Sequence, residues 1–228
     1  MAGRGRSRTA REAEIPAMGD LWRGSAIPAE ALPPADCVAG VDEAGRGSLA
    51  GPVVAAAVIL PAEFQLPGLT DSKLLSPAQR ATLAEDIRTV AIAHAVAAVD
   101  ASRIDAINIL QATLVAMTEA VAALPSPPEL ILVDGNIVPW VPMRARAIVW
   151  GDRLIPAISA ASILAKTARD AMMEDWGRQY PAYGFAEHKG YGTPNHLARL
   201  AAHGPSPIHR RSFAPVLSSE RSEQGSLW

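Results

Sequence analysis

Residues 53–60 read Val-Val-Ala-Ala-Ala-Val-Ile-Leu, an apolar run with no polar residue in it. A strand that never alternates has two buried faces, so it must sit inside a sheet with helices packed on both sides. The segment before it, 38–41, is a second short apolar strand and pairs with it as a buried hairpin. A third strand over 90–99 and two more over 129–133 and 145–150 are separated by helical patterns. Ser76-Pro77 opens a helix through 88, with proline at the first helical position. Ile104, Ile107, Gln111, Leu114, Met117, Val121 and Leu124 recur every three or four residues, as one long amphipathic helix ended by Pro125. A further helix covers 157–176. Three strands followed by alternating helices and strands give an α/β or α+β sheet with helices on its faces.

Composition narrows the class. With 228 residues, 49 % hydrophobic but only 5 % aromatic, the chain builds one main core from small aliphatic side chains. A formal charge of −2 excludes a globally cationic nucleic-acid coat, though not a local basic face. The single cysteine, Cys37, excludes a disulfide scaffold and a cysteine-rich metal site. No uncharged apolar run reaches the roughly 20 residues that span a bilayer. The N-terminus lacks the charges followed by an apolar stretch that mark a signal peptide, and Arg4, Arg6, Arg8 and Arg11 resemble the start of a transit peptide but are followed at once by Glu12 and Glu14. A soluble cytoplasmic protein is expected. The chain divides into a poorly ordered extension over 1–36, with a helical turn near 15–22, a catalytic domain over 37–180, a C-terminal module over 181–217 and a tail over 218–228.

Four acids follow the predicted strands directly or after one residue: Asp42, Glu43, Asp134 and Asp152. One such acid is ordinarily an exposed strand end. Four at the ends of neighbouring strands would converge, and like charges at close range need a cation between them. Oxygen ligands without His or Cys select magnesium or manganese over zinc, and such ions support in-line attack on a phosphodiester. Asp42 and Glu43, being adjacent, face opposite sides of a regular strand. They share a site only at a frayed end or a bulge.

Gly45-Arg46-Gly47 lies just beyond that pair. Two glycines around a long cation let the backbone approach a ligand; the plain alternative is a hairpin turn with an exposed arginine. On the helix from 157, Ser162, Lys166 and Arg169 share one face, and Ile158, Ala161, Ala165, Ala168 and Met172 the other. The polar stripe suits a phosphate backbone or simply solvent. Residues 185–213 hold four of the five histidines and a net positive charge. There His188-Lys189-Gly190-Tyr191-Gly192-Thr193 places an aromatic ring between glycines, able to stack on a sugar or base. No carboxylate or cysteine complements His188, His196, His203 and His209 at ligand spacing, so a histidine metal site is not expected.

Several of these segments resemble the bacterial ribonuclease HII family, of the type 2 ribonucleases H. The resemblance runs through Gly40-Val41-Asp42-Glu43-Ala44-Gly45-Arg46-Gly47, Asp71-Ser72-Lys73-Leu74, Val133-Asp134-Gly135-Asn136 and Gly151-Asp152. It continues through Ala160-Ala161-Ser162-Ile163-Leu164-Ala165-Lys166, the glycine–tyrosine segment and His209-Arg210-Arg211-Ser212-Phe213, covering about 37–217. It implies a ribonuclease H-like fold, with a five-stranded mixed sheet flanked by helices and a small C-terminal helical module. It implies an endoribonuclease that hydrolyses the RNA strand of RNA–DNA hybrids. The same resemblance implies nicking of duplex DNA 5′ of an embedded ribonucleotide, leaving 3′-hydroxyl and 5′-phosphate ends. Asp42, Glu43, Asp134 and Asp152 would hold two Mg²⁺ or Mn²⁺ ions. Gly45, Arg46 and Gly47 would read the 2′-hydroxyl, Tyr191 would stack on the sugar, and Lys73, Ser162, Lys166 and Arg169 would bind phosphates. A monomer is expected, with a sliding clamp as an open partner. Another metal hydrolase on the same scaffold, such as a deoxyribonuclease, and a binding module with inert carboxylates are the alternatives.

Overall fold

A computed structural model describes residues 32–69, 72 and 75–225. The expected turn near 15–22 and Lys73 lie outside these residues. Strands β1 (Val38–Ala44), β2 (Val53–Ile59), β3 (Ala93–Val99), β4 (Leu130–Asp134) and β5 (Arg144–Ile148) form one sheet in the order β3-β2-β1-β4-β5. β1 is antiparallel to β2 and β2 to β3, whereas β4 runs parallel to both β1 and β5. The sheet is mixed, as expected, and β2 is buried along its whole length.

Helices α1 (Pro77–Val90), α2 (Ala101–Ile107), α3 (Ile109–Ala122), α4 (Gly151–Leu154) and α5 (Pro156–Gln179) belong to this body. The C-terminal part adds α6 (Phe185–His188), α7 (Pro194–His203) and α8 (Ala214–Gly225). One sheet face packs on α1 and α5 through Val58, Leu132, Leu83 and Ile163; the other packs on α2 and α3 through Val41, Val133, Ile104 and Met117.

α5 lies unusually close to the sheet because small residues face each other. A Cβ on Gly40 of β1 would fall 2.1 Å from the backbone carbon of Ala157, so only glycine admits the helix there. Ser76 caps α1 in a reciprocal capping box with Gln79.

Three expectations change. The single helix expected over 104–124 is broken in two at Asn108, whose φ is +68° and whose side chain caps α3 by accepting from the Gln111 N–H. Asparagine tolerates that conformation and prefers capping to a helix interior. β1 runs on past Val41 to include both Asp42 and Glu43. On α5 it is Met173, not Met172, that is wholly buried. At the start of the described chain, Leu32 already packs on the α1/α5 core, so packing begins before residue 37.

Candidate active site

Alternation along β1 puts Asp42 on the α5 face with Val38 and Gly40, and Glu43 on the opposite face. In β4 the same alternation places Asp134 on the α5 face with Leu130 and Leu132. β1 and β4 are paired neighbours, so the two aspartates arrive together at the carboxyl ends of parallel strands. Asp152 enters from α4, the short helix after β5. Its own N–H donates to Asp134 Oδ1 at 3.2 Å, and Ser159 Oγ donates to the Asp152 carbonyl at 2.6 Å, fixing α4 against α5.

Carboxylate oxygens of Asp42, Asp134 and Asp152 all lie within 4.8 Å of one another. Asp42 and Asp152 are buried. Burial, then the charges of Glu43 and Asp134, push the Asp42 carboxyl well above the usual carboxylate range. Hydrogen bonds from Ser162 and from the Glu43 N–H at 2.7 Å act the other way. Such a cluster is stable as three anions only with a cation among them, and its all-oxygen donor set suits a hard divalent ion. Glu43, on the opposite face of β1, lies outside this group of three, although its charge acts on Asp42; its carboxylate lies 3.6 Å from Arg46 Nη1.

Behind the acids, Ser162 is buried on α5, with its hydroxyl 3.0 Å from that of Ser72 and bonded to Asp42. It orients a carboxylate. Arg169 is fully buried, and its guanidinium donates to the carbonyls of Pro52, Lys189 and Ala50 at 2.9–3.1 Å. The expectation that Ser162 and Arg169 face a phosphate backbone is therefore corrected: both face protein groups, because this stretch of α5 is enclosed by the sheet and the C-terminal segment. Lys166 is partly exposed, bonded to Asp170 at 2.6 Å, with its ammonium 5.9 Å from the Tyr191 ring centre. Arg169 lies 5.5 Å from the same ring. Tyr191 keeps 37 % of its surface exposed, so a ring supported by two cations is presented outward.

The Gly45-Arg46-Gly47 loop is held from inside by Arg210, a residue for which the sequence supplied a motif but no role. Its guanidinium is wholly buried and donates to the carbonyls of Gly51, Arg46 and Gly45 at 3.0, 2.8 and 2.7 Å. Burial and neighbouring Arg169 push its pKa down to about 9, leaving it charged at neutral pH. Gly47 remains exposed, with open space where a Cβ would stand.

The histidines also acquire a role. Ser206 N–H donates to His209 Nδ1 at 2.9 Å, so Nε2 carries the proton and donates to His196 Nε2 at 3.0 Å. His196 Nδ1–H then donates to the Tyr191 carbonyl at 2.9 Å. This chain of neutral rings ties Tyr191 to the loop before α8. Burial pushes both His196 and His209 down, the latter to about 4.

A family model described as Ribonuclease HII matches residues 39–216. The Ribonuclease HII of Verminephrobacter eiseniae is 57 % identical over 186 residues, spanning 82 % of this chain and 89 % of that protein. Among solved structures, the ribonuclease H2 of Pyrococcus horikoshii superposes with a TM-score of 0.70 at 27 % identity, covering 82 % of this chain and 98 % of that one. An RNase HII from Archaeoglobus fulgidus, solved in complex with PCNA, gives 0.64 at 31 % identity, covering 76 % and 92 %. The matched span takes in the three converging aspartates, the arginine-held loop and the outward tyrosine, and on this ground the chain belongs to the ribonuclease HII family of endoribonucleases, built on the ribonuclease H-like fold.

Proposed function

We propose that this protein hydrolyses the RNA strand of RNA–DNA hybrids and also nicks duplex DNA on the 5′ side of an embedded ribonucleotide, leaving 3′-hydroxyl and 5′-phosphate ends. The observation that carries the reading is the convergence of Asp42, Asp134 and Asp152 beside a glycine loop and an outward tyrosine. These three, with Glu43 at the rim, would hold two Mg²⁺ or Mn²⁺ ions. Bound there, the ions would supply an activated water and charge stabilisation for the leaving oxygen.

The protein's own groups do the rest. Ser162 keeps the Asp42 carboxylate turned into the cluster. Arg210 and Arg169 fix the loop so that the peptide groups of Gly45, Arg46 and Gly47 meet a 2′-hydroxyl, which both donates and accepts. Tyr191 stacks on the ribose and presses it against the loop. Lys166 and Lys73 are assigned to flanking phosphates. The protein acts as a monomer in the cytoplasm in this reading. The archaeal relative's complex with PCNA makes a sliding clamp the partner class to test.

The test is product mapping on an end-labelled DNA duplex with one ribonucleotide, in magnesium and in manganese. One nick 5′ of the ribonucleotide with a 3′-hydroxyl is expected, and none in all-DNA duplex. Cleavage of the all-DNA duplex would favour the deoxyribonuclease alternative. Cleavage of long hybrids alone would remove the single-ribonucleotide part.

A further inference from the structure

Beyond the acid cluster, on the side away from the Gly45–Gly47 loop, the sheet ends in β5, its outermost strand there. Arg144 and Arg146 pair in register with Leu130 and Leu132, so they share the face that carries Asp134. Both are exposed. They stand two residues apart, about 6.6 Å, close to the rise of two nucleotides at about 3.4 Å each along one strand. Following the same face toward the acids leads to Ile148, opposite Asp134, and then out to Trp150.

Trp150 is an odd residue for its position. Its φ is +62° and its ψ +30°, the left-handed region, where a bulky side chain is strained and glycine is not. The ring is nonetheless 63 % exposed, with the Arg153 guanidinium 5.1 Å from its centre. A residue that strains the backbone and buries little is kept for what its side chain does outside the fold. α4 divides accordingly: Gly151 and Asp152 are buried, whereas Arg153 and Leu154 face out. From 136 to 156 the only acidic residue is Asp152, itself part of the cluster, against Arg144, Arg146 and Arg153. A cationic face with an exposed indole complements a nucleic-acid backbone better than a neutral protein surface.

We propose that Arg144, Arg146, Trp150 and Arg153 form a second nucleic-acid contact, which takes the phosphate backbone of the duplex on the flank of the cut site away from Tyr191. It rests on the reading of the substrate as a nucleic-acid duplex. Trp150 stacks on an exposed sugar or base edge, and the arginines of β5 follow the strand outward.

The full chain is tested as Trp150→Gly and as the double variant Arg144→Gln, Arg146→Gln. Binding is measured against salt, using a long duplex with one central ribonucleotide and a duplex trimmed on either flank. Trp150→Gly is expected to keep or raise Tm while weakening binding of the long duplex roughly fivefold or more. The double variant is expected to lower the slope of log K against log salt by about 2. Trimming one flank should abolish both differences, and trimming the other should not. Unchanged binding and slope on every duplex would overturn the proposal and return the face to a protein contact. A fall in Tm for Trp150→Gly would assign the ring to packing and overturn its role. Wild-type cleavage of a hybrid, measured alongside, reads the proposed activity separately, since a surface can bind without the acids cutting.

Discussion

Gly45 and Gly47 flank the same arginine but answer to different constraints. At Gly45 φ is +94°, and a Cβ would fall 1.9 Å from Arg169 Nε. Gly45→Ala is therefore expected to displace a buried guanidinium as well as strain the backbone, lowering Tm by roughly 5–15 °C. At Gly47 nothing lies within 4 Å of the added carbon. Gly47→Ala should stay within about 0.5 kcal/mol of wild-type stability yet raise KM for the hybrid, because the methyl enters space assigned to the ribose. Unchanged KM would remove Gly47 from the reader. Tyr191→Ala should cost about tenfold to a hundredfold in cleavage of a single-ribonucleotide duplex, with Phe recovering the stacking part. Wild-type cleavage by the alanine variant would reduce the tyrosine to packing. At this scale the convergence of Asp42, Asp134 and Asp152 could be anticipated from the sequence, because several acids closing neighbouring apolar strands repel unless a cation joins them, whereas one alone is ordinarily an exposed strand end. Arg169 and Arg210 could not: a guanidinium facing solvent and one enclosed by carbonyls have the same spacing along a chain. Nor does spacing distinguish Ser162 facing a phosphate from Ser162 facing Asp42.

Strand patterns translated into structure more faithfully than helix ends. β2 announced itself by composition alone, and the sheet followed. The division between α2 and α3 was hidden because the apolar spacing continues across Asn108; the side chain that caps α3 is what interrupts it. The histidines of the C-terminal part carried no periodic signal, since His188, His196 and His209 bond to carbonyls, amides and one another, while His203 is exposed. Their chain works only when neutral: His209 must accept from Ser206 N–H, and His196 must accept from His209. Burial holds the His209 pKa near 4, below its ordinary 6.5. Stability from this group is fully present above pH 6.5 and is lost as pH falls toward 4, amounting to about 3 kcal/mol over that window. Histidine NMR titration should find His209 titrating near 4, and a midpoint near 6.5 would dissolve the neutral chain.

The C-terminal part is less a separate module than the back wall of the loop. Leu49 N–H donates to the Gly190 carbonyl, Gly51 N–H to Ile208 and Arg210 N–H to Leu49, so residues 49–51 form a seam with 190 and 208–210. Arg169 crosses it from the sheet side and Arg210 from the other. Arg210→Ala would leave the carbonyls of Gly45, Arg46 and Gly51 without that donor, at about 3 kcal/mol or more. Lysine should not restore the loss, because one ammonium cannot span three carbonyls; recovery of Tm by Arg210→Lys would show the charge alone to suffice. The sheet thus supplies the acids, and the C-terminal segment fixes the groups that face them. The most direct test of the acid cluster as the catalytic centre is the turnover of Asp134→Asn on an RNA–DNA hybrid at saturating magnesium, with Tm followed in parallel. A rate lower by orders of magnitude in a protein that melts no earlier is the predicted result. More than about a tenth of the wild-type rate would contradict it.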